Sequence, residues 1–187
     1  FTIPEARPMV QRALRDAMTT RSVTLAQATL QDGQQLLAFN DLFIGARSHV
    51  SARYELTTRN GREMQSSSGL IVSTGAGSSG WLSSLVNMAK GMSAFLGNGP
   101  PPTWSLPMTW EARQLIWAVR EPFVSKTSQA GLVAGSLNAG ETLLVESQMP
   151  EGGVIFSDGV EKDFLQFNSG TLATISVADH CARLVTA

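Results

Sequence analysis

The densest run of chemistry-bearing residues is Gly75-Ala76-Gly77-Ser78-Ser79-Gly80, flanked by Ser73, Thr74, Ser83 and Ser84. Lying between an apolar segment and a stretch of helical period, it matches the letter of the G-x-G-x-x-G dinucleotide fingerprint. That fingerprint needs an acidic residue about 20 positions on to hold a ribose, and no Asp or Glu occurs from Met64 to Trp110. A phosphate-binding Walker loop needs a lysine where Trp81 stands. A nucleophile elbow needs a serine with glycines two residues away on both sides, and no serine here has them. What remains is a helix start rich in hydroxyls, where free N–H groups and the helix dipole favour an anionic or polar ligand. One or two hydroxyls suffice for capping, and six surround this turn. The plainer alternative is a glycine-rich strand-to-helix connection without a ligand.

Other positions carry chemistry less densely. Asn40 offers both a donor and an acceptor to a base edge; the alternative is that Asn40-Asp41 interrupts a buried strand at a bulge. Trp81 supplies a large flat face or a core side chain. His49 and His180 have no metal-pair spacing and read as structural or surface residues. Cys181 is the sole cysteine, which excludes an internal disulfide and a cysteine-rich zinc site; it reads as a small buried apolar residue. Arg120-Glu121-Pro122 reads as a solvated charge pair ending a strand, or as a reach toward a ligand across a subunit contact.

These residues must be held by a mainly β framework. Pro4 to Met18 has helical spacing, with Val10, Leu14 and Met18 on one face. Val23–Leu30 and Gln34–Ile44 flank Asp32-Gly33, a hairpin signal. Leu36-Leu37-Ala38-Phe39 is apolar on both faces and predicts a central strand. Ser51–Arg59 turns at Asn60-Gly61 into a return strand running from Arg62 to Thr74. A helix over Trp81–Leu96 follows, stopped by Gly97-Asn98-Gly99 and Pro100-Pro101-Pro102 in an exposed loop. Short strands then recur at Arg113–Arg120, Gly131–Leu137, Thr142–Ser147, Val154–Phe156, Phe164–Phe167, Thr171–Val177 and Ala182–Val185. Such spacing predicts an antiparallel, sandwich-like β domain (mainly β, α+β in class) with two helices, not a parallel sheet.

Composition narrows the partners. With 43% hydrophobic and 16% charged residues, the chain can bury a core and is not a disordered tail. A net charge of −1, from 14 basic and 15 acidic side chains, gives no electrostatic reason for a nucleic-acid or membrane partner. No run of about 18 apolar residues occurs, and Glu5, Arg7 and Arg12 break any signal-peptide pattern. A cytoplasmic location is the expectation.

A family resemblance sharpens this. Ser68-Gly69-Leu70-Ile71-Val72-Ser73-Thr74-Gly75-Ala76-Gly77-Ser78-Ser79-Gly80-Trp81 resembles the NAD kinase signature D-G-L-I-V-S-T-P-T-G-S-T-A-Y. Upstream, Phe39-Asn40-Asp41 resembles the L-N-E motif of that family, and Phe156-Ser157-Asp158-Gly159 resembles its V-D-G turn. The resemblance spans Val23 to Val185. The chain departs from the pattern at Ser68, which is closer to divergent, mitochondrial-type members, and at Asp41, Gly75 and Trp81. No G-G-D-G-T motif occurs. The resemblance implies a helix over residues 1–20 entering from an N-terminal kinase domain, and an all-β dinucleotide-binding domain over residues 21–187. It implies NAD contacts from Asn40, Asp41, Thr74, Gly77, Ser78, Ser79, Gly80, Trp81 and Ser84, with no catalytic residue and no metal ligand in this chain. ATP with Mg²⁺ would be the phosphoryl donor, held elsewhere, in a homo-oligomer. The competing expectations are a non-catalytic dinucleotide-binding or regulatory module, and a related sugar- or lipid-type kinase.

Overall fold

Side chains that alternate with period two give each strand two distinct faces, and that alternation organises the whole domain. The computed structural model describes residues 3–15, 18–97 and 108–186. The elements in chain order are α1 (Ile3–Leu14), β1 (Thr20–Leu30), β2 (Gln35–Ala38), β3 (Asp41–Ala46), β4 (Ala52–Thr58), β5 (Gly61–Ser67) and β6 (Leu70–Ser73). A short 3₁₀ turn, Gly77–Ser79, leads into α2 (Trp81–Phe95). Then come β7 (Gln114–Val119), β8 (Ala134–Asn138), β9 (Thr142–Ser147), β10 (Gly153–Ser157), β11 (Phe164–Gln166) and β12 (Leu172–Val185).

The strands form two six-stranded sheets, ordered β2-β1-β12-β9-β4-β5 and β11-β10-β3-β6-β7-β8. Their strand pairs are antiparallel, as the turn spacing predicts. Between the sheets lies one core that takes Ala26 and Ala28 from β1, Tyr54 and Leu56 from β4, and Leu42 and Ile44 from β3. The alternate residues of the central strands of the second sheet face outward instead. Phe43, Ile71, Val154 and Phe156 make a smaller cluster there, with Leu85 of α2 laid against it. The second sheet is therefore covered on both faces near its middle, which is why β3 and β6 are buried almost throughout and apolar but for Asp41 and Ser73 at one end.

Several sequence expectations need correction. The first helix ends at Leu14, short of Met18, its last turn tightened by an Arg15 N–H to Arg12 C=O bond of 3.1 Å. Gln34–Ile44 is two strands in different sheets. Leu36–Phe39 does not form a central strand: β2 is the edge of the first sheet, and Leu37 is 43% exposed. Likewise Arg62–Thr74 divides at Ser68-Gly69, where φ of +112° at Gly69 lets the chain leave one sheet for the other. Thr171–Val177 and Ala182–Val185 are one long strand, bulged where its register against β1 shifts between Thr24 and Ala26. The tip of the β4–β5 hairpin is Arg59-Asn60, since Thr58 pairs with Gly61. Of the loop expected over residues 97–102, all but Gly97 lies outside the described residues.

Candidate functional site

The turn Phe39-Asn40-Asp41 carries the chain from β2 into β3, so the backbone of Phe39 and Asn40 belongs to neither sheet's ladder. Two loops supply the missing partners. On one side Asp158 accepts from the N–H groups of Phe39 (2.9 Å), Asn40 (2.6 Å) and Asp41 (3.2 Å), and its own N–H donates to Asp41 C=O at 3.0 Å. On the other, the Thr74 hydroxyl donates to Phe39 C=O at 2.6 Å, and the Thr74 N–H donates to Asn40 C=O at 2.9 Å. The backbone of the turn is thus satisfied from both sides. The Asn40 side chain is left exposed, with no hydrogen bond among the described residues.

The glycine run presses directly on this turn. A Cβ at Gly77 would lie 2.1 Å from the Asn40 carbonyl oxygen, and one at Gly75 would lie 2.1 Å from that of Thr109. Neither position admits a side chain. These glycines permit close approach of backbones. The hydroxyls have partners of a different kind from those expected. Ser78 Oγ donates to Gly75 C=O at 2.7 Å, Ser83 Oγ to Ser79 C=O at 2.9 Å, and Ser84 Oγ to Gly80 C=O at 3.5 Å. Local back-bonding of this kind is a common fate of serine near a helix start. No side chain caps α2, whose N-cap is Gly80 and whose first turn holds no acidic residue.

Asn40, Asp41, Gly77, Ser79, Gly80 and Trp81 come together around a cleft of about 400 Å³ that Ala76, Asp158 and Gly159 complete. Thr74, Ser78 and Ser84 support that wall and do not line it. Asp41 is only 8% exposed, yet its carboxylate has no hydrogen-bond or ion-pair partner among the described residues. It points toward the start of α2, where a side chain at Gly80 would begin 4.0 Å from Asp41 Oδ2. Burial, and secondarily the nearby charge of Asp158, push the Asp41 carboxyl up to about 6.

Trp81 stands between this cleft and a second hollow of about 360 Å³, lined in part by Phe43, Arg47, His49 and Arg120. Its ring, 36% exposed, tilts over Phe43 at 5.7 Å, and the Arg120 guanidinium lies 5.4 Å from its centre. Arg120 also pairs with Glu121 at 3.6 Å just past β7, the solvated pair that the sequence suggests. Cys181 is exposed, contrary to expectation, and accepts from Arg113 Nη1 at 3.4 Å. Its place near the outer end of β12 removes it from the core. Among the described residues no group of three or more His, Cys, Asp or Glu could hold a metal ion, and no helix is long and apolar enough to cross a membrane. Sequence reasoning had quoted Asp158 only as part of a turn. The signal for its larger part was Asp before Gly in a turn where both residues take positive φ, 53° and 74°.

The sequence matches no protein-family profile and no curated protein. Its fold, however, is similar to half of a solved structure. Over 100% of this chain and 50% of the other, the domain superposes on yeast NADH kinase, crystallised in complex with NADH, with a TM-score of 0.66 and 13% identity. The chain therefore spans about half the length of that enzyme. What is shared is an NAD kinase-like, mainly antiparallel β architecture.

Proposed function

We propose that this chain is the dinucleotide-holding portion of an ATP-dependent NAD kinase-type phosphotransferase. The complete enzyme would join the γ-phosphoryl group of ATP to the 2′-hydroxyl of the adenosine ribose of NAD, giving NADP and ADP. One observation carries this reading. The Asn40–Asp41 turn is held by its neighbours while presenting an unbonded amide and, from the mostly buried Asp41, a carboxylate that opens on the cleft without a partner among the described residues, beside an uncapped helix start.

In that arrangement the Asn40 amide pairs with the adenine edge, and Asp41 accepts from a ribose hydroxyl. Ser79 and the backbone of Gly77 and Gly80 border the sugar and phosphates, and Trp81 offers its ring to the ligand. Thr74, Ser78 and Ser84 act behind them by fixing the wall. This chain's part in catalysis is to orient the acceptor hydroxyl and shield it from water. The proton released by the attacking hydroxyl needs a base, which on this reading comes from a G-G-D-G-T-type domain together with the groups that cradle ATP. Mg²⁺ bound with ATP supplies charge neutralisation on the phosphates. The cleft does not suit a resident metal, having Asp41 as its one carboxylate not already engaged by backbone N–H groups.

The test is Asn40→Ala in the full-length protein. Leaving the adenine edge unpaired costs about 1–3 kcal/mol, so the KM for NAD should rise about 5- to 150-fold while that for ATP stays within twofold. Equal loss for both substrates, or an unmoved NAD affinity in a folded variant, would refute the placement of the adenine site. Binding of NAD without any NADP formation by the full-length protein would instead favour a regulatory dinucleotide module.

A further inference from the structure

We propose that Asp158 is a positioning residue for the acceptor dinucleotide, its carboxylate setting the angle at which the Phe39–Asp41 turn presents Asn40 and Asp41 to the cleft. This role rests on the dinucleotide reading of the site. Asp158 occupies the left-handed region, with φ of +53°, followed by Gly159 at +74°. An L-residue sits there at some steric cost, which Asp and Asn bear best. The conformation turns the side chain back over the end of the β10–β3 ladder, whose last register pair is Ser157 with Leu42. Where the ladder stops, the carboxylate continues it.

The choice of aspartate follows from donor counting. Three backbone N–H groups converge on the carboxylate, Oδ1 taking those of Asn40 and Asp41 and Oδ2 that of Phe39. An ionised carboxylate only accepts and has lone pairs for all three. An asparagine amide would aim N–H donors at an N–H group on one side. Charge-assisted bonds of this kind are also the stronger ones, which suits a turn that must stay fixed when a ligand leans on it.

Asp158 has a second effect on the same site. It is the charged group that faces Asp41, because the Gly77–Ser79 turn and Trp81–Ser84 at the start of α2 carry none. Its partners across β3 are equally neutral: Asp41 pairs with Ser73 of β6, and Leu42 follows. The position therefore controls both where the ligand-facing groups stand and the pH at which Asp41 ionises.

The experiment compares wild type, Asp158→Asn and Asp158→Glu in the full-length protein, by NADH fluorescence titration from pH 5 to 8 with melting temperatures alongside. Asp158→Asn should weaken NADH about tenfold at pH 8, leave the KM for ATP within twofold, and move the acid limb of NADH binding to lower pH than in wild type, because the neighbouring charge that raises Asp41 is gone. Asp158→Glu keeps the charge but misplaces it by one methylene, so it should weaken NADH while leaving the acid limb where wild type has it. A lower melting temperature with unmoved NADH affinity and an unmoved acid limb would make Asp158 merely structural and overturn the proposal. Wild-type protein that binds no NADH at any of these pH values would overturn the dinucleotide reading itself, and this role with it.

Discussion

Asp41→Asn should make the protein more stable and worse at holding its ligand. The wild-type carboxylate is buried, has no partner among the described residues, and is displaced from the usual 3.8 to about 6, chiefly by burial. At about 1.4 kcal/mol for each tenfold change, that displacement sets a ceiling of about 3 kcal/mol on the cost of ionising Asp41 in the fold. Its oxygens border an open cleft, so water screens part of this, and about 1 kcal/mol is the realistic gain from removing the charge. Asparagine keeps the shape and avoids the ionisation.

The pH dependence has a definite sign. The folded chain holds the Asp41 proton more tightly than the unfolded chain does, so stability from this group is full below about 4 and is lost as pH rises through about 6. The variant lacks that loss. Its advantage should therefore be absent near pH 4, grow between 4 and 6, and level off above. For a chain of 187 residues, about 1 kcal/mol corresponds to a rise in Tm of about 2–4 °C. NADH affinity should move the other way: losing a charged acceptor to a ribose hydroxyl costs about 1.5–3 kcal/mol, or about 10- to 150-fold in Kd. Scanning fluorimetry at pH 4, 6 and 8, with and without NADH, reads both effects. A Tm gain as large at pH 4 as at pH 8, or a variant that binds NADH as well as wild type does, would show that Asp41 is neither strained by burial nor turned to the ligand.

Two further substitutions separate the wall from the scaffold. Gly77→Ala puts a methyl 2.1 Å from the Asn40 carbonyl oxygen, so overpacking should cost about 1–3 kcal/mol and abolish NADH binding as the turn shifts. Gly80→Val meets Gly77 C=O at 3.2 Å and Asp41 Oδ2 at 4.0 Å from its Cβ, and should lower Tm less while still blocking the ligand, seen as a raised KM for NAD alone. Glu63→Gln is the remote control. The Glu63 carboxylate accepts from Gly131 and Leu132 N–H at 3.0 Å, so its loss should cost about 1–3 kcal/mol and leave Kd for NADH unchanged.

The hairpin tips were legible because they need residues that bear positive φ. Gly33 at +88° sits in the turn expected at Asp32-Gly33, and Gly140 at +87° and Gly170 at +85° fall in the gaps left between expected strands. Departures arose where local pattern and tertiary place disagree. Leu36 to Phe39 is apolar on both faces, which usually means a central strand, but Ala38 faces the core while Leu37 stays largely exposed on an edge. The passage from β5 to β6 hides within serines whose alternation continues across the change of sheet; only Gly69 marks it. In β12, Ala178 to Cys181 break the alternation through a bulge, and a bulge looks like a gap when no partner strand is in view. The count of hydroxyls near α2 does not by itself point to a ligand, since most of them bond nearby carbonyls.

The location of the cleft follows from how the two sheets are joined. A chain that leaves one sheet for another must strand some backbone polar groups, and buried groups of that kind need partners. At Phe39–Asp41 the partners come from Thr74, just past β6, and Asp158, just past β10, so three loops from the same end of the second sheet become locked together. Locking leaves two exceptions, of opposite polarity: the Asp41 carboxylate and the uncapped N–H groups of α2. They lie close enough to attract each other, yet the carboxylate does not cap the helix. A molecule with hydroxyl donors for the first and acceptor oxygens for the second would satisfy both at once, and the ribose 5′-phosphate of an adenine dinucleotide carries both kinds of group. A bound ribose hydroxyl would give Asp41 a donor that the described residues do not supply.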